Sequence, residues 1–364
     1  MDVRAVVASV TALAVLAAGG TAAAGTGPAG PGTGATVLAS SPGARVARVT
    51  CTAPAGYRAV AAALSAGIQV ALRGRAGHQA VAVHDPVTGV SCQADGGRQF
   101  DAASIVKAII LAALLRWHQE TATSLSEWET GEATLMITQS DNDAATNLWN
   151  WVGMSRMQRF LGLAAMDETE LGPGRYWGLT QVTAHDEMLL LDLLARPNRV
   201  LSAASRAYQL ALMAQVIPWQ RWGTPAGAPD GVAVHVKNGW LPDGTGWHVN
   251  SIGAFTGKSE NYVIAVLTDD NPSEQYGIDT IQAVAWVVHR ELSAVRGTAR
   301  ARLAASLGQP AAPAASPAAA SAAPSPPVVP SPAAVPSPWA VVAALPTPPS
   351  PWAVVPALPV PPAP

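Results

Sequence analysis

The chain has 364 residues, of which 49% are apolar and 13% charged, with a formal net charge of −2. That is ample apolar material for one large core or two small ones. The near-neutral balance leaves no basic face for a polyanion, so no nucleic-acid partner is expected.

The amino terminus reads as an export signal over residues 1–24. Arg4 gives a positive start, Ala5 to Ala18 is an uncharged and mostly apolar run, and Ala22-Ala23-Ala24 suits a small-x-small cleavage site. An uncleaved anchor is the competing reading, although the run is short for a membrane span. On the first reading the protein is secreted or held in the cell envelope. Residues 25–55, rich in Gly, Ala, Pro and Thr, read as a flexible leader. The only cysteines are Cys51 and Cys92, which outside the cytoplasm would form one disulfide or remain two thiols.

A folded domain is expected over residues 56–300. It opens with strand-like runs at Ile68–Leu72 and Ala80–His84, followed by a turn through Asp85-Pro86 to Gly89. Ala102–Trp117 is helical, and helical patterns continue to about Val216. Strands return at Val232–Lys237, His248–Phe255 and Tyr262–Thr268, and a helix over Thr280–Ser293 closes the domain. This order predicts an α+β fold, with one sheet assembled from both chain ends and a helical lobe between them. From 301 to 364 the chain carries 19 of its 31 prolines, and no charge follows Arg302. Such a segment cannot bury a core and reads as disordered. Its repeated Ser-Pro-Trp-Ala-Val-Val, from Ser337 and from Ser350, suits a spacer or a tail that associates with the cell wall.

Lysine is scarce. Of 22 basic side chains only Lys107, Lys237 and Lys258 are lysines. A lysine can lose its proton when desolvated, whereas an arginine stays charged. Ser104 and Lys107 stand three apart in an apolar helix, Ile105, Val106, Ile109, Ile110 and Leu111 surrounding them, so they share one helical face. A desolvated Lys107 could take the Ser104 hydroxyl proton. Ser140-Asp141-Asn142 ends a second helical run, as a turn, a cap or part of a site. Lys237-Asn238-Gly239 ends the strand that starts at Val232.

Ser-x-x-Lys, then Ser-Asp-Asn, then Lys-x-Gly on a late strand resembles the ordered signature of class A β-lactamases and penicillin-binding proteins. The resemblance covers residues 56–300. It implies a β-lactamase-like antiparallel sheet and an acyl-enzyme formed at Ser104, with Lys107 as the base. It implies that Ser140 relays a proton to the leaving nitrogen and that Asn142 contacts the substrate amide and Lys107. It also implies that Lys237 and Asn238 meet a substrate carboxylate, and that the Ser104 and Trp240 N–H groups, beside Gly239, form an oxyanion hole.

Three departures stand out. Asn238 replaces the hydroxyl residue usual after that lysine. Ser104 and Ser140 are only 36 residues apart, which predicts a trimmed helical lobe. The Glu-x-x-Leu-Asn pattern of class A enzymes is missing. Glu168, followed by Leu171 and Gly172, is the nearest candidate for a deacylating base, and a solvated loop carboxylate is the alternative. His185-Asp186 reads as a helix start, and no histidine spacing suggests a metal, so neither cofactor nor metal is expected. The resemblance implies a small β-lactam or a peptidoglycan-type amide as substrate. A non-catalytic envelope-binding module that keeps the fold is the competing reading. With no interface signal in the sequence, a monomer is expected.

Overall fold

A computed structural model describes residues 48–257 and 260–306. The export signal, the leader before residue 48, Lys258 and the tail from residue 307 lie outside the described residues. The chain divides into a compact unit ending at Ala299 and a second unit from Arg300, of which only helical residues 300–306 are described.

Six strands form one antiparallel sheet: β1 (Thr50–Thr52), β2 (His78–Asp85), β3 (Val90–Ala94), β6 (Ala233–Pro242), β7 (Trp247–Thr256) and β8 (Asn261–Asn271). Their order is β1-β3-β2-β8-β7-β6, so β2 and β8 join the two ends of the domain and β6 is an edge. Helices α1 (Arg58–Leu72) and α8 (Glu274–Ser306) cover one face. Leu64, Ile68 and Leu72 of α1 meet Val81, Val83, Ile264 and Val266 of the sheet and Ile281, Val284 and Val288 of α8. The opposite face presents Ala80, Ala82, Ala254, Val263 and Ala265 to the helical lobe. Small alanines on that face let the helices approach the strands closely. Buried Arg296 donates to Asp85 Oδ2 at 2.9 Å, tying α8 to the turn after β2, where Gly89 takes a positive φ of 69°.

The lobe comprises α2 (Val106–Thr121), α3 (Glu127–Thr138), α4 (Asn142–Val152), α5 (Met154–Ala164), α6 (Ala184–Ala195) and α7 (Ala203–Ala214). Ten successive residues of α2, Val106–Leu115, are buried, so this helix is the lobe's axis and is enclosed on all sides. Two short strands, β4 (Gln99–Asp101) and β5 (Gln181–Thr183), pair just before α2. The α+β arrangement with an antiparallel sheet from both chain ends is therefore present.

Three boundaries differ from expectation. Ile68–Leu72 is helical: Val60, Leu64, Ile68 and Leu72 recur every fourth residue, a helical period that a five-residue window conceals. Residues 50–55 are not leader, because Thr50–Thr52 pairs with Ser91–Gln93 and Cys51 is bonded to Cys92. The closing helix is longer than Thr280–Ser293 at both ends and runs past residue 300. The disulfide spans 41 residues, a loop whose closure is worth about 4 kcal/mol in chain entropy. Replacing Cys51 and Cys92 together by alanine is expected to lower unfolding stability by about that amount in a denaturant titration. A loss below ~1 kcal/mol would mean that β1 contributes little.

Candidate active site

Ser104 lies in a short 3-10 turn, Ala103–Ile105, that leads into α2. Ala103 before it takes a left-handed φ of 48°, a costly conformation for a residue with a side chain. The segment is held from two sides. The Ala102 N–H donates to Thr180 O at 2.8 Å, and Asn250 Nδ2 donates to Asp101 O at 2.8 Å. Ser104 is half-buried, and its hydroxyl has no hydrogen-bond partner among the described residues.

One turn further on, Lys107 is fully buried. Its Nζ donates to Ser140 O at 2.6 Å, Asn142 Oδ1 at 2.8 Å and Ser140 Oγ at 3.1 Å. Desolvation holds its pKa well below the ordinary lysine value, the nearby charge of Lys237 adds to the fall, and Asp141 opposes it. Nζ also lies over the Trp177 ring, 4.8 Å from its centroid. Ser140 presents both its groups because its backbone is left-handed, with φ of 59°. Asp141 caps α4 by accepting from the Ala144 N–H at 2.8 Å. The cap reading of Ser140-Asp141-Asn142 and the site reading are thus satisfied by different residues of the same triplet.

Lys237 arrives from edge strand β6. It is fully buried, and Nζ donates to Ser140 Oγ at 3.0 Å and Asn238 O at 2.8 Å. Burial lowers its pKa from 10.5 to about 7. Two lysines therefore converge on one hydroxyl oxygen. Both its lone pairs can accept, leaving the Ser140 proton free to turn elsewhere. Gly239 is the contact between strand and helix. A Cβ there would lie 2.6 Å from Ser104 N and 2.8 Å from both Ala102 O and Ile105 N, all backbone atoms. Only glycine lets β6 come this close. Trp240 follows, packed edge-on to Trp222 with ring centroids 5.7 Å apart.

Asn238, Lys237 and Glu168 make contacts that the resemblance does not imply. Asn238 does not offer its amide outward: Nδ2 donates to Gln220 O at 2.8 Å and Trp222 O at 2.9 Å, which uses both its hydrogens. Lys237 is likewise enclosed, its donors turned to protein oxygens rather than to an open subsite. Glu168 is exposed. Its carboxylate accepts from Thr183 at 3.2 Å and its backbone O from Gln99 at 2.9 Å, and none of its described contacts reaches Ser104, Lys107 or Ser140. Trp177, not a carboxylate, stands against Lys107.

Asn250 and Trp177 belong to the site's support and carried no sequence motif. A polar residue inside the apolar run of β7 was the available signal for Asn250, which is opposite Gly239 in the ladder. The fold also brings Glu168, His185 and Asp186 together, with ligand atoms within 4.8 Å of one another, a grouping that the histidine spacing did not suggest. His185-Asp186 does open a helix, with Thr183 capping α6 through the Asp186 N–H.

Residues 132–292 match the family model of the Beta-lactamase enzyme family, a span that includes Ser140 and Lys237 and begins after Lys107. No curated protein matches the chain. Among solved structures, TLA-3 extended-spectrum β-lactamase is similar, with a TM-score of 0.56 and 17% identity, over 64% of this chain and 98% of that one. A PBP-A variant solved as an acyl-enzyme complex with penicillin G gives 0.57 and 20%, over 64% and 96%. A β-lactamase from Sphaerobacter thermophilus gives 0.54 and 22%, over 66% and 97%. Matched family and shared fold support a serine hydrolase acting on amide bonds of β-lactams or peptidoglycan peptides. Residues 132–292 thus match the Beta-lactamase enzyme family, and the described domain has the fold of class A β-lactamases and PBP-A.

Proposed function

We propose that the protein is an exported acyl-serine hydrolase that is acylated at Ser104 by β-lactams or a related peptidoglycan amide and releases the acyl group slowly. The observation that carries this is the convergence of Lys107 and Lys237 on Ser140 Oγ, at 3.1 and 3.0 Å.

A neutral Lys107 has two hydrogens, which its two shorter bonds to Ser140 O and Asn142 Oδ1 use, so its lone pair faces Ser140 Oγ at 3.1 Å and that contact is made as an acceptor. Turning that lone pair to Ser104 would let it take the hydroxyl proton as Oγ attacks the carbonyl carbon. The developing oxyanion would be met by the Ser104 and Trp240 N–H groups, which Gly239 brings together at the sheet edge. Ser140 would give its proton to the departing nitrogen and recover one from the lysines, balancing the acylation step. Lys237, enclosed and donating to Ser140, acts here by tuning that hydroxyl.

Slow release follows from what faces Lys107. A deacylating water needs a base beside the ester. Among the described residues no carboxylate bonds to Lys107 Nζ, whose neighbours include the Trp177 ring, and the Glu168 carboxylate accepts from Thr183. A non-catalytic envelope protein would have no use for two buried lysines around one serine, which disfavours that reading. The tail from residue 301 would serve as a wall-associated spacer.

The test is an intact-mass time course of the protein with benzylpenicillin, the adduct being mapped by digestion. The expected result is a one-to-one adduct on the Ser104 peptide that persists for many minutes. No adduct and no opened product would remove the proposal. Glu168→Gln is expected to leave adduct lifetime within about twofold of the parent. A tenfold or longer lifetime would make Glu168 the deacylating base.

A further inference from the structure

The strand beside the Ser104 turn carries an amide where packing asks only for an apolar residue. Asn250 lies inside β7, fully buried, with Gly239 opposite it in β6 and Leu267 opposite it in β8. Burying an amide is unfavourable unless its polar atoms are bonded. Both polar atoms of Asn250 are bonded. Nδ2 donates to Asp101 O at 2.8 Å and to Ala102 O at 3.3 Å, and Oδ1 accepts from Thr268 N at 3.2 Å. These partners decide the amide's orientation, since the reverse would set Oδ1 against two carbonyl oxygens.

The two carbonyls that Asn250 holds come just before Ala103, whose φ of 48° lies in the left-handed region. An alanine there is disfavoured roughly tenfold against its ordinary conformations, so its surroundings must hold it. The Ala102 carbonyl fixes the plane of the peptide that joins it to Ala103, and φ of Ala103 is the rotation next to that plane. Ile105 N donates to the same oxygen at 3.2 Å, closing the turn in which Ser104 lies. Gly239 leaves the space for this arrangement, because a Cβ there would lie 2.8 Å from Ala102 O. The ladder thus sets a donor beside a residue without a side chain, and together they seat the turn. Among the described residues, no hydrogen bond of Asn250 reaches Lys107, Ser140 or Lys237.

Resting on the acyl-serine reading above, we propose that Asn250 is a positioning residue for Ser104. Its amide holds Ala103 left-handed, and that conformation aims the Ser104 hydroxyl and N–H at the substrate carbonyl. Without the amide, Ala103 relaxes toward an ordinary φ and carries the nucleophile out of line, while the buried lysines stay where they are.

The experiment follows adduct formation between benzylpenicillin and the full chain, separating the maximal acylation rate from the half-saturating concentration. Asn250→Leu, similar in size but without donors, is expected to lower the maximal rate about 10²-fold, as misplacing a reacting group does. Half-saturation should stay within about threefold, because a fully buried residue does not meet the substrate. The deciding variant is Ala103→Gly, since glycine is left-handed at no steric cost. In the Asn250→Leu background it is expected to restore the maximal rate at least about fivefold, and in the parent to change it by less than about threefold. A merely structural role for Asn250 would give no such coupling. Absence of the glycine rescue, or a maximal rate in Asn250→Leu within about threefold of the parent, overturns the proposal. If the leucine variant does not fold, Asn250→Ser, a smaller change with one hydroxyl donor, carries the same comparison. A parent that never labels at Ser104 overturns the acyl-serine reading together with the proposal. A parent that labels, with no rescue by glycine, overturns the role of Asn250 alone.

Discussion

Replacing Lys237 by methionine is expected to make the protein more stable at neutral pH and almost inactive. The lysine is fully buried, and its pKa falls from 10.5 to about 7. A shift of that size corresponds to on the order of 5 kcal/mol of unfavourable burial. Removing it would leave Asn238 O without its Lys237 donor, while Ser140 Oγ keeps Lys107. That offsets about 1–3 kcal/mol of the gain. A net rise in melting temperature of roughly 5–10 °C follows at pH 6–7. The sign reverses with pH in a definite way. Between pH 7 and 10.5 the unfolded chain binds the proton that the folded one has released. Stability contributed by this site therefore rises with pH across that window, and the advantage of the variant fades. Activity should fall about 10³-fold, the usual loss when a positioned proton donor is disabled. The positive charge of Lys237 also depresses the pKa of Lys107, so its loss raises that pKa. The acid limb of the residual acylation rate should move to higher pH. A variant less stable than the parent at pH 6, or an unmoved limb, would contradict this description.

Gly239→Ala should be the most damaging of the conservative changes. The new Cβ would lie under 3.0 Å from Ser104 N, Ala102 O and Ile105 N, and no side-chain rotation relieves a clash with backbone. Either β6 shifts outward or the Ser104 turn does. Overpacking of this kind costs about 1–3 kcal/mol. An ångström of displacement at a nucleophile and its oxyanion donors costs about 10²-fold or more in rate. Gly131→Ala provides the contrast. Gly131 is an exposed position inside α3 with nothing within 4 Å of a Cβ. That change should gain up to ~1 kcal/mol from helix propensity and leave acylation untouched. Acylation in Gly239→Ala within threefold of the parent would mean that the strand does not set the Ser104 geometry.

The helical lobe and the late strands were legible because their apolar periods are long: Val106–Leu115 can only be an enclosed helix, and β7 and β8 are continuous buried runs. The lysine scarcity pointed to Lys107 and Lys237, and the fold does bring them to Ser140. What stayed hidden was set by contacts distant in sequence. Thr50–Thr52 is too short to show a pattern and becomes a strand through its pairing and disulfide with β3. The orientation of Asn238 is decided by carbonyls 16 and 18 residues earlier. Glu168 had suitable chemistry at a plausible spacing, yet chain tracing between α5 and β5 leaves it beside Thr183 and puts Trp177 against Lys107 instead.

The protonation of the two buried lysines decides whether a base exists, and the chain is suited to a direct measurement because it has only three lysines. Selective ¹³Cε,¹⁵Nζ-lysine labelling and a pH titration by nuclear magnetic resonance would follow all three, with Lys258→Arg removing the third signal. The expected result is that both remaining lysines titrate well below 10.5, the Lys237 signal near 7. Two lysines titrating near 10.4, as ordinary surface lysines do, would contradict the account, since neither could then take the Ser104 proton at neutral pH.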